Sequence, residues 1–438
     1  MLHVNLLSGP VPVVLGVLGA IGLAVLVAGR GPRWWRCGLP VAVTATVVVT
    51  VTAVLLVERV WRPVPDPLPA GVIGWGAGAV LALVLVGARS WSAPRDGRRG
   101  PVRGAAVVGA AAVLVLLAAG SGVNLYFGQY PTIGALLGVP LPNQVDLPRA
   151  NAPSPPVSAP PGQPVEQVWT PPAGLPAAGG VSQVSIPGTV SGFAARPGWV
   201  YLPPAYLTVP RAQLPVLVLL SGQPGSPRDW FDGGRLAERM DRYAAAHAGL
   251  APVVVIPDHL GAPLAQPLCV DSHLGKVGTY LDVDVPAWIR RNLQVDPDPR
   301  AWAVGGYSEG GTCALQTALR APQTYPSLID ISGQAEPSLG SRAATVRDVF
   351  GGDEPAFHAA NPLDELGTRR YPGTAGMLVV GEQDGQYRPQ AEQVRHALLA
   401  AGAAVKFQLV PGGHTWQVWG PGLELSLPWL GTRLGLTR

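Results

Sequence analysis

A hydroxyl, an imidazole and a carboxylate are the smallest set of side chains that can cleave an ester through a serine nucleophile. In this 438-residue chain the stretch Gly306-Tyr307-Ser308-Glu309-Gly310 sets one serine among glycines, directly after the apolar run AWAV at 301–304. The pattern G-x-S-x-G suits a sharp strand-to-helix turn that lifts the serine Oγ into a strained, exposed position, with glycines where strand and helix nearly touch. With 56 Gly in the chain, about 0.3 such matches arise by chance, so the pattern alone decides little. Two further residues make it specific. Asp384 follows the run MLVVG, in GEQDGQ, and His414 follows VKFQLV, in PGGHTW. Serine, acid and histidine therefore come in that chain order, each in the loop after its own predicted strand, where open α/β sheets gather their active groups. Glu382 is the competing acid. The Asp-Gly pair at 384–385 favours Asp384, because aspartate accepts backbone hydrogen bonds on tight turns.

Acyl transfer also needs donors for the oxyanion. The N–H of Glu309 opens a helix, where backbone donors and the dipole favour negative charge. A second donor is expected from SGQPGSPRDW, the loop after LPVLVLL: Gly222 leaves the backbone accessible and the Gln223 N–H is the candidate. Three more residues are candidate substrate contacts: Trp230 at the end of that loop, Asp271 in CVDSHLGKVGTYLDVDVP, and Trp416 beside the histidine.

These loops need a scaffold. Short apolar runs at 199–202, 214–220, 252–257, 301–306, 327–332, 377–381 and 405–410 alternate with helical stretches near 230–247, 279–293, 309–320, 388–401 and 415–436. Continuous apolar strands between amphipathic helices imply a mostly parallel sheet covered on both faces. With the Ser-Asp-His order, that is the α/β-hydrolase fold, over 181–438. Ahead of it, 139–180 is so rich in proline that it reads as a semi-rigid extended spacer.

The first 138 residues differ. Apolar stretches at about 11–29, 38–57, 68–88 and 104–123 each approach the length of a spanning helix, with no Asp, Glu, Lys or Arg inside. That argues for an anchor and against an ion pathway. Arg30, Arg33 and Arg36 follow the first stretch, and Arg89, Arg95, Arg98, Arg99 and Arg103 the third, while the middle loop (Glu58, Arg59, Arg62, Asp66) is neutral. The positive-inside rule puts the Arg-rich loops in the cytoplasm and both termini, with the hydrolase domain, outside. A cleaved signal peptide is the alternative for the first stretch, but it lacks a basic n-region and three more apolar stretches follow. The net charge of +4 comes from this third, so a nucleic-acid partner has little support. Outside the cell disulfides persist, and Cys269 and Cys313 are expected to pair, leaving Cys37 in a cytoplasmic loop.

The segment 183–420 resembles the esterase D-type family that includes the secreted mycolyltransferases. The resemblance rests on VYLPP, the LLSGQPGSPRDW loop, GGYSEGG followed by CAL, and GGHTWQVW. Similar membrane-anchored forms carry several N-terminal spans. The chain departs at position 221, Ser where many relatives place an acid or a histidine, and in an acid that directly follows its strand. The resemblance implies a serine esterase or acyltransferase acting on an acyl ester, with a cell-envelope lipid or glycolipid as a candidate substrate. No cofactor is expected, and no metal, since the remaining histidines lack the close pairs typical of zinc sites. The reading from another class is a non-catalytic envelope-binding module that keeps the fold.

Overall fold

The computed structural model describes residues 2–28, 31–91 and 101–438, and the chain divides into two compact units, 1–139 and 140–438. Among the described residues of the first unit, four helices are long and apolar enough to cross a membrane: Pro10–Val27, Trp34–Trp61, Ala70–Arg89 and Gly104–Phe127. The second exceeds its apolar core at both ends, so Arg36, Glu58 and Arg59, expected in loops, lie in helix. Helical hydrogen bonds remain the cheapest way to satisfy the backbone as the chain leaves an apolar layer. Arg89 donates to the carbonyls of Leu26 and Ala28, and Trp34 Nε1 to that of Val27 at 2.8 Å. These side chains satisfy carbonyls that a helix end leaves open, and they bring the Arg89 end of the third helix to the Val27 end of the first. Trp34 is therefore buried, while Trp35 and Trp61 are exposed as interfacial residues would be. Arg30, Arg95, Arg98 and Arg99 lie outside the described residues.

The second unit is built on eight strands: β1 (Gly180–Val184), β2 (Gly198–Leu202), β3 (Val216–Leu220), β4 (Val253–Ile256), β5 (Trp302–Tyr307), β6 (Ser327–Ile331), β7 (Ala375–Gly381) and β8 (Ala404–Val410). Their order is β8-β7-β6-β5-β3-β4-β2-β1. β3 through β8 run parallel; at one edge β2 pairs antiparallel with β4, and β1 antiparallel with β2. Every residue of β3, β4, β5 and β6 is buried, as expected for strands with helices on both faces. The order reverses beside β3 and β5, and that switch point opens a crevice at the carboxyl ends of the strands. β1 was not anticipated, nor were the three short helices Arg342–Phe350, Glu354–Ala360 and Pro362–Thr368.

The proline-rich segment is not a free spacer. Val145 and Asn143 exchange backbone hydrogen bonds with Val181, Pro156–Val157 pairs in parallel with Arg211–Ala212, and Val165 and Trp169 are buried in the catalytic core. Trp169 Nε1 donates to the Ala248 carbonyl at 2.9 Å. Prolines prevent a helix or a sheet ladder of its own, but an extended chain can still lay its few apolar side chains into a surface that other elements provide.

Candidate active site

β5 ends at Tyr307, and the next residue turns directly into the helix Glu309–Arg320. Ser308 takes φ +55° and ψ −126°, a conformation costly for a side-chain-bearing residue and tolerated where its surroundings over-determine it. The glycines make room. A Cβ on Gly306 would sit 2.1 Å from the Gly310 carbonyl oxygen, and one on Gly310 would sit 2.3 Å from that of Ser221. Both obstacles are backbone. Gly310→Ala is therefore expected to destabilise the catalytic unit by about 1–3 kcal/mol or more. Gly385→Ala, where nothing lies within 4 Å, should be close to neutral. Thermal melting of the two variants checks this; a Gly310→Ala protein that melts with its parent would contradict it.

Ser308, His414 and Asp384 come together. His414 Nε2 lies 2.8 Å from Ser308 Oγ, and its Nδ1 lies 2.9 Å from Asp384 Oδ2. The second oxygen of Asp384 accepts from the Tyr387 N–H at 3.1 Å, so both carboxylate oxygens are held. Asp384 is buried and Glu382 is exposed at the sheet end. Tyr387 stacks on the imidazole with ring centroids 3.8 Å apart, and Trp419 meets it edge-on at 5.0 Å. His414 thus has a fixed ring plane as well as fixed partners. Sequence reasoning missed Tyr387; its place three residues after the acid, opening the helix Arg388–Ala400, was the available signal.

The loop after β3 reaches the same point. A Cβ on Gly222 would approach the Ser308 Cβ to 3.1 Å, which puts the backbone beside Gln223 next to the nucleophile. Gln223 Nε2 donates to the Leu264 carbonyl at 3.4 Å, tying this loop to the one after β4. Arg196 steadies it further: its guanidinium donates to the Gly225 carbonyl at 2.9 Å and to both oxygens of Asp258, at 2.6 and 3.0 Å. Burial alone would push the Asp258 carboxyl up, but the Arg196 bonds outweigh it and hold the group below its ordinary value. Neither residue was singled out from sequence, because they lie 62 positions apart.

The three residues expected as substrate contacts lie in different surroundings. Trp230 is fully buried and donates Nε1 to the Leu220 carbonyl at 3.1 Å. Trp416 is also buried, 4.5 Å from the Tyr307 ring and 5.6 Å from that of Trp230. These rings pack together with Tyr307 into an aromatic floor; a large apolar surface is worth more packed than exposed. Burial pushes the Tyr307 phenol well up within that floor. Asp271 is exposed, but its carboxylate accepts from the N–H and hydroxyl of Thr279, at 2.8 and 2.5 Å, closing its own hairpin. Below the nucleophile helix, burial pushes the Asp330 carboxyl up to about 7 against the pull of its bond from the Gly333 N–H.

Cys269 and Cys313 are joined by a disulfide with Cα atoms 5.5 Å apart, and Cys37 is free and exposed. The bridge ties the second turn of the nucleophile helix to the loop after β4, where Leu268 and Cys269 both take left-handed backbone conformations.

A sheet of this order, with a strained serine at the centre and an imidazole and carboxylate delivered by the two strands beyond, defines a serine ester hydrolase or acyltransferase of α/β-hydrolase fold. Residues 195–430 match the family described as Putative esterase, and the chain belongs to that family. It is 35% identical over 427 residues to an uncharacterised protein of Corynebacterium glutamicum, covering 95% of this chain and 93% of that one. Among solved structures it is similar to a ferulic acid esterase, with a TM-score of 0.51 and 19% identity over 60% of this chain and 100% of that one. It is similar also to an S-formylglutathione hydrolase from Agrobacterium tumefaciens, with a TM-score of 0.50 and 18% identity over 59% and 97% of the two chains. At such identities the likeness shows the fold.

Proposed function

We propose that the protein is a membrane-anchored acyl-ester hydrolase or acyltransferase that works on the outer side of the membrane through an acyl-enzyme at Ser308. The observation that carries this reading is the unbroken chain from Ser308 Oγ through His414 to Asp384, with links of 2.8 and 2.9 Å. Ser308 Oγ attacks the ester carbonyl carbon and its proton passes to His414 Nε2. Asp384 keeps the imidazole in the tautomer that can accept it and stabilises the imidazolium. The negative charge that grows on the carbonyl oxygen meets the N–H groups of Glu309 and Gln223. His414 returns the proton to the leaving alcohol, the acyl group stays on Ser308, and water or a sugar hydroxyl takes it off by the same steps reversed. A cell-envelope lipid or glycolipid suits an active site carried on the same chain as four long apolar helices. The outward orientation is supported by the arginines at the Val27 and Arg89 helix ends, which the positive-inside rule assigns to the cytoplasm.

One experiment tests chemistry and sidedness together. Intact cells and lysed cells are treated with a charged, membrane-impermeant fluorophosphonate. Labelling of intact cells, lost in Ser308→Ala, is the expected result. Labelling confined to lysed cells would overturn the orientation, and no labelling in either would leave the binding-module reading in its place.

A further inference from the structure

Directly behind the nucleophile lies a second group of reactive side chains. His259, Cys269, Glu309 and Cys313 are all buried, and one donor atom from each falls within 4.8 Å of the others. Glu309 and Cys313 share a face of the nucleophile helix, four residues apart. His259 and Cys269 come from the loop after β4. His259 Nε2 lies 2.8 Å from Glu309 Oε2. The other carboxylate oxygen, Oε1, faces sulfur only: Cys313 Sγ at 3.1 Å and Cys269 Sγ at 3.9 Å.

That arrangement suits one chemical state poorly. A disulfide sulfur carries no proton, so among the described residues Oε1 has no donor, although Glu309 is only 7% exposed. A buried carboxylate oxygen left in this way is costly. Reduction changes the balance. With the bridge open, the same four positions present two thiolates, an imidazole nitrogen and a carboxylate oxygen, a set that matches tetrahedral zinc in both number and softness. The two sulfurs would need to separate to about 3.8 Å, the edge of a tetrahedron with Zn–S near 2.3 Å. Both cysteines sit on segments that already converge on Glu309.

We propose that the reduced protein binds one thiophilic divalent metal ion, zinc, through His259 Nε2, Cys269 Sγ, Glu309 and Cys313 Sγ, and that this site and the disulfide exclude each other. Opening the bridge consumes two external thiols: they form a disulfide with one another, and their two protons and two electrons pass to Cys269 and Cys313. Zinc then displaces the two thiol protons to solvent without changing its own oxidation state. His259 coordinates as neutral imidazole, its proton on Nδ1. The histidines read as ordinary missed this because the ligands are gathered from positions 259, 269, 309 and 313, with no paired spacing to betray them.

The test is metal retention, which does not depend on turnover. The full chain, carrying Cys37→Ser to remove the free exposed cysteine, is solubilised in detergent, reduced with a phosphine, incubated with zinc and desalted. An untreated, disulfide-bonded sample is carried in parallel. The reduced chain should retain about one zinc and the oxidised chain less than about a tenth of one. His259→Ala and Cys313→Ser should each lower retention by about tenfold or more. Cobalt in place of zinc should give the intense visible bands of a tetrahedral site and a thiolate-to-cobalt charge-transfer band. If the reduced chain, with both thiols titrated, retains no more zinc than the oxidised one, the proposal fails. It fails too if the variants retain zinc like the parent. Should reduction abolish cooperative melting, zinc must restore it; a reduced chain that stays unfolded with zinc present also overturns the site. Fluorophosphonate labelling of the oxidised chain reports separately on the esterase reading.

Discussion

Asp384→Asn is expected to lower turnover by about 10⁴ with substrate binding nearly unchanged, the factor by which the serine-protease template falls when its orienting acid is lost. The cause is the tautomer. Asp384 Oδ2 accepts from His414 Nδ1, which leaves Nε2 free to take the Ser308 proton. An asparagine at 384 can offer its N–H₂ to Nδ1, and the imidazole then carries its proton on the wrong nitrogen. Stacking by Tyr387 keeps the ring in place meanwhile, so the defect is one of proton position and not of geometry. Glu382→Gln should stay within several-fold of the parent, because Glu382 is exposed and its carboxylate accepts from the neighbouring Gln383 amide, at 3.4 Å, and not from His414. Steady-state kinetics on a simple aryl ester would decide it. A crippled Glu382→Gln beside a healthy Asp384→Asn would transfer the orienting role to the glutamate.

The largest effect on stability is expected from the disulfide. Replacing Cys269 and Cys313 together by serine removes a cross-link between positions 44 apart. The chain-entropy model puts the loss at about 4 kcal/mol. At roughly 2 °C per kcal/mol for a unit of this size, the melting temperature should fall by about 8 °C. Native-state strain offsets part of this, since Leu268 and Cys269 beside the bridge sit at φ +58° and +54°, where neither residue rests comfortably. Differential scanning calorimetry measures the change directly. A fall of less than about 2 °C would mean that the two segments are held by packing and that the bridge contributes little.

What could be read from sequence was local. Most strands were visible because each is a short, largely apolar run, and the four N-terminal helices because each is a stretch of about twenty apolar residues. Ser308, Asp384 and His414 were legible because each directly follows such a run, so that a one-dimensional order reported a three-dimensional meeting. The rest depended on contacts between distant segments. β1 is held by pairing with β2, and its sequence GVSQV carries little apolar signal of its own. Arg196 and Asp258, or His259 and Glu309, are ordinary residues until the fold sets them side by side. Tryptophans beside a catalytic loop, such as Trp230 and Trp416, are equally consistent from sequence with a rim or a floor, and that both are buried was not legible there.

The proline-rich segment bears on where the catalytic unit can be cut. Its residues Val165 and Glu166 donate backbone hydrogen bonds to the carbonyls of Gly435 and Leu436, and the Glu166 side chain reaches both His247 and the backbone of Arg438. The last residues of the chain are thus clasped by a stretch that precedes the sheet. A water-soluble fragment begun at residue 181 would discard the clasp, uncover the pocket filled by Trp169 and free the C-terminal tail. One begun near residue 140 keeps its own two ends stitched together, and the natural border of the enzyme lies some forty residues before its first strand.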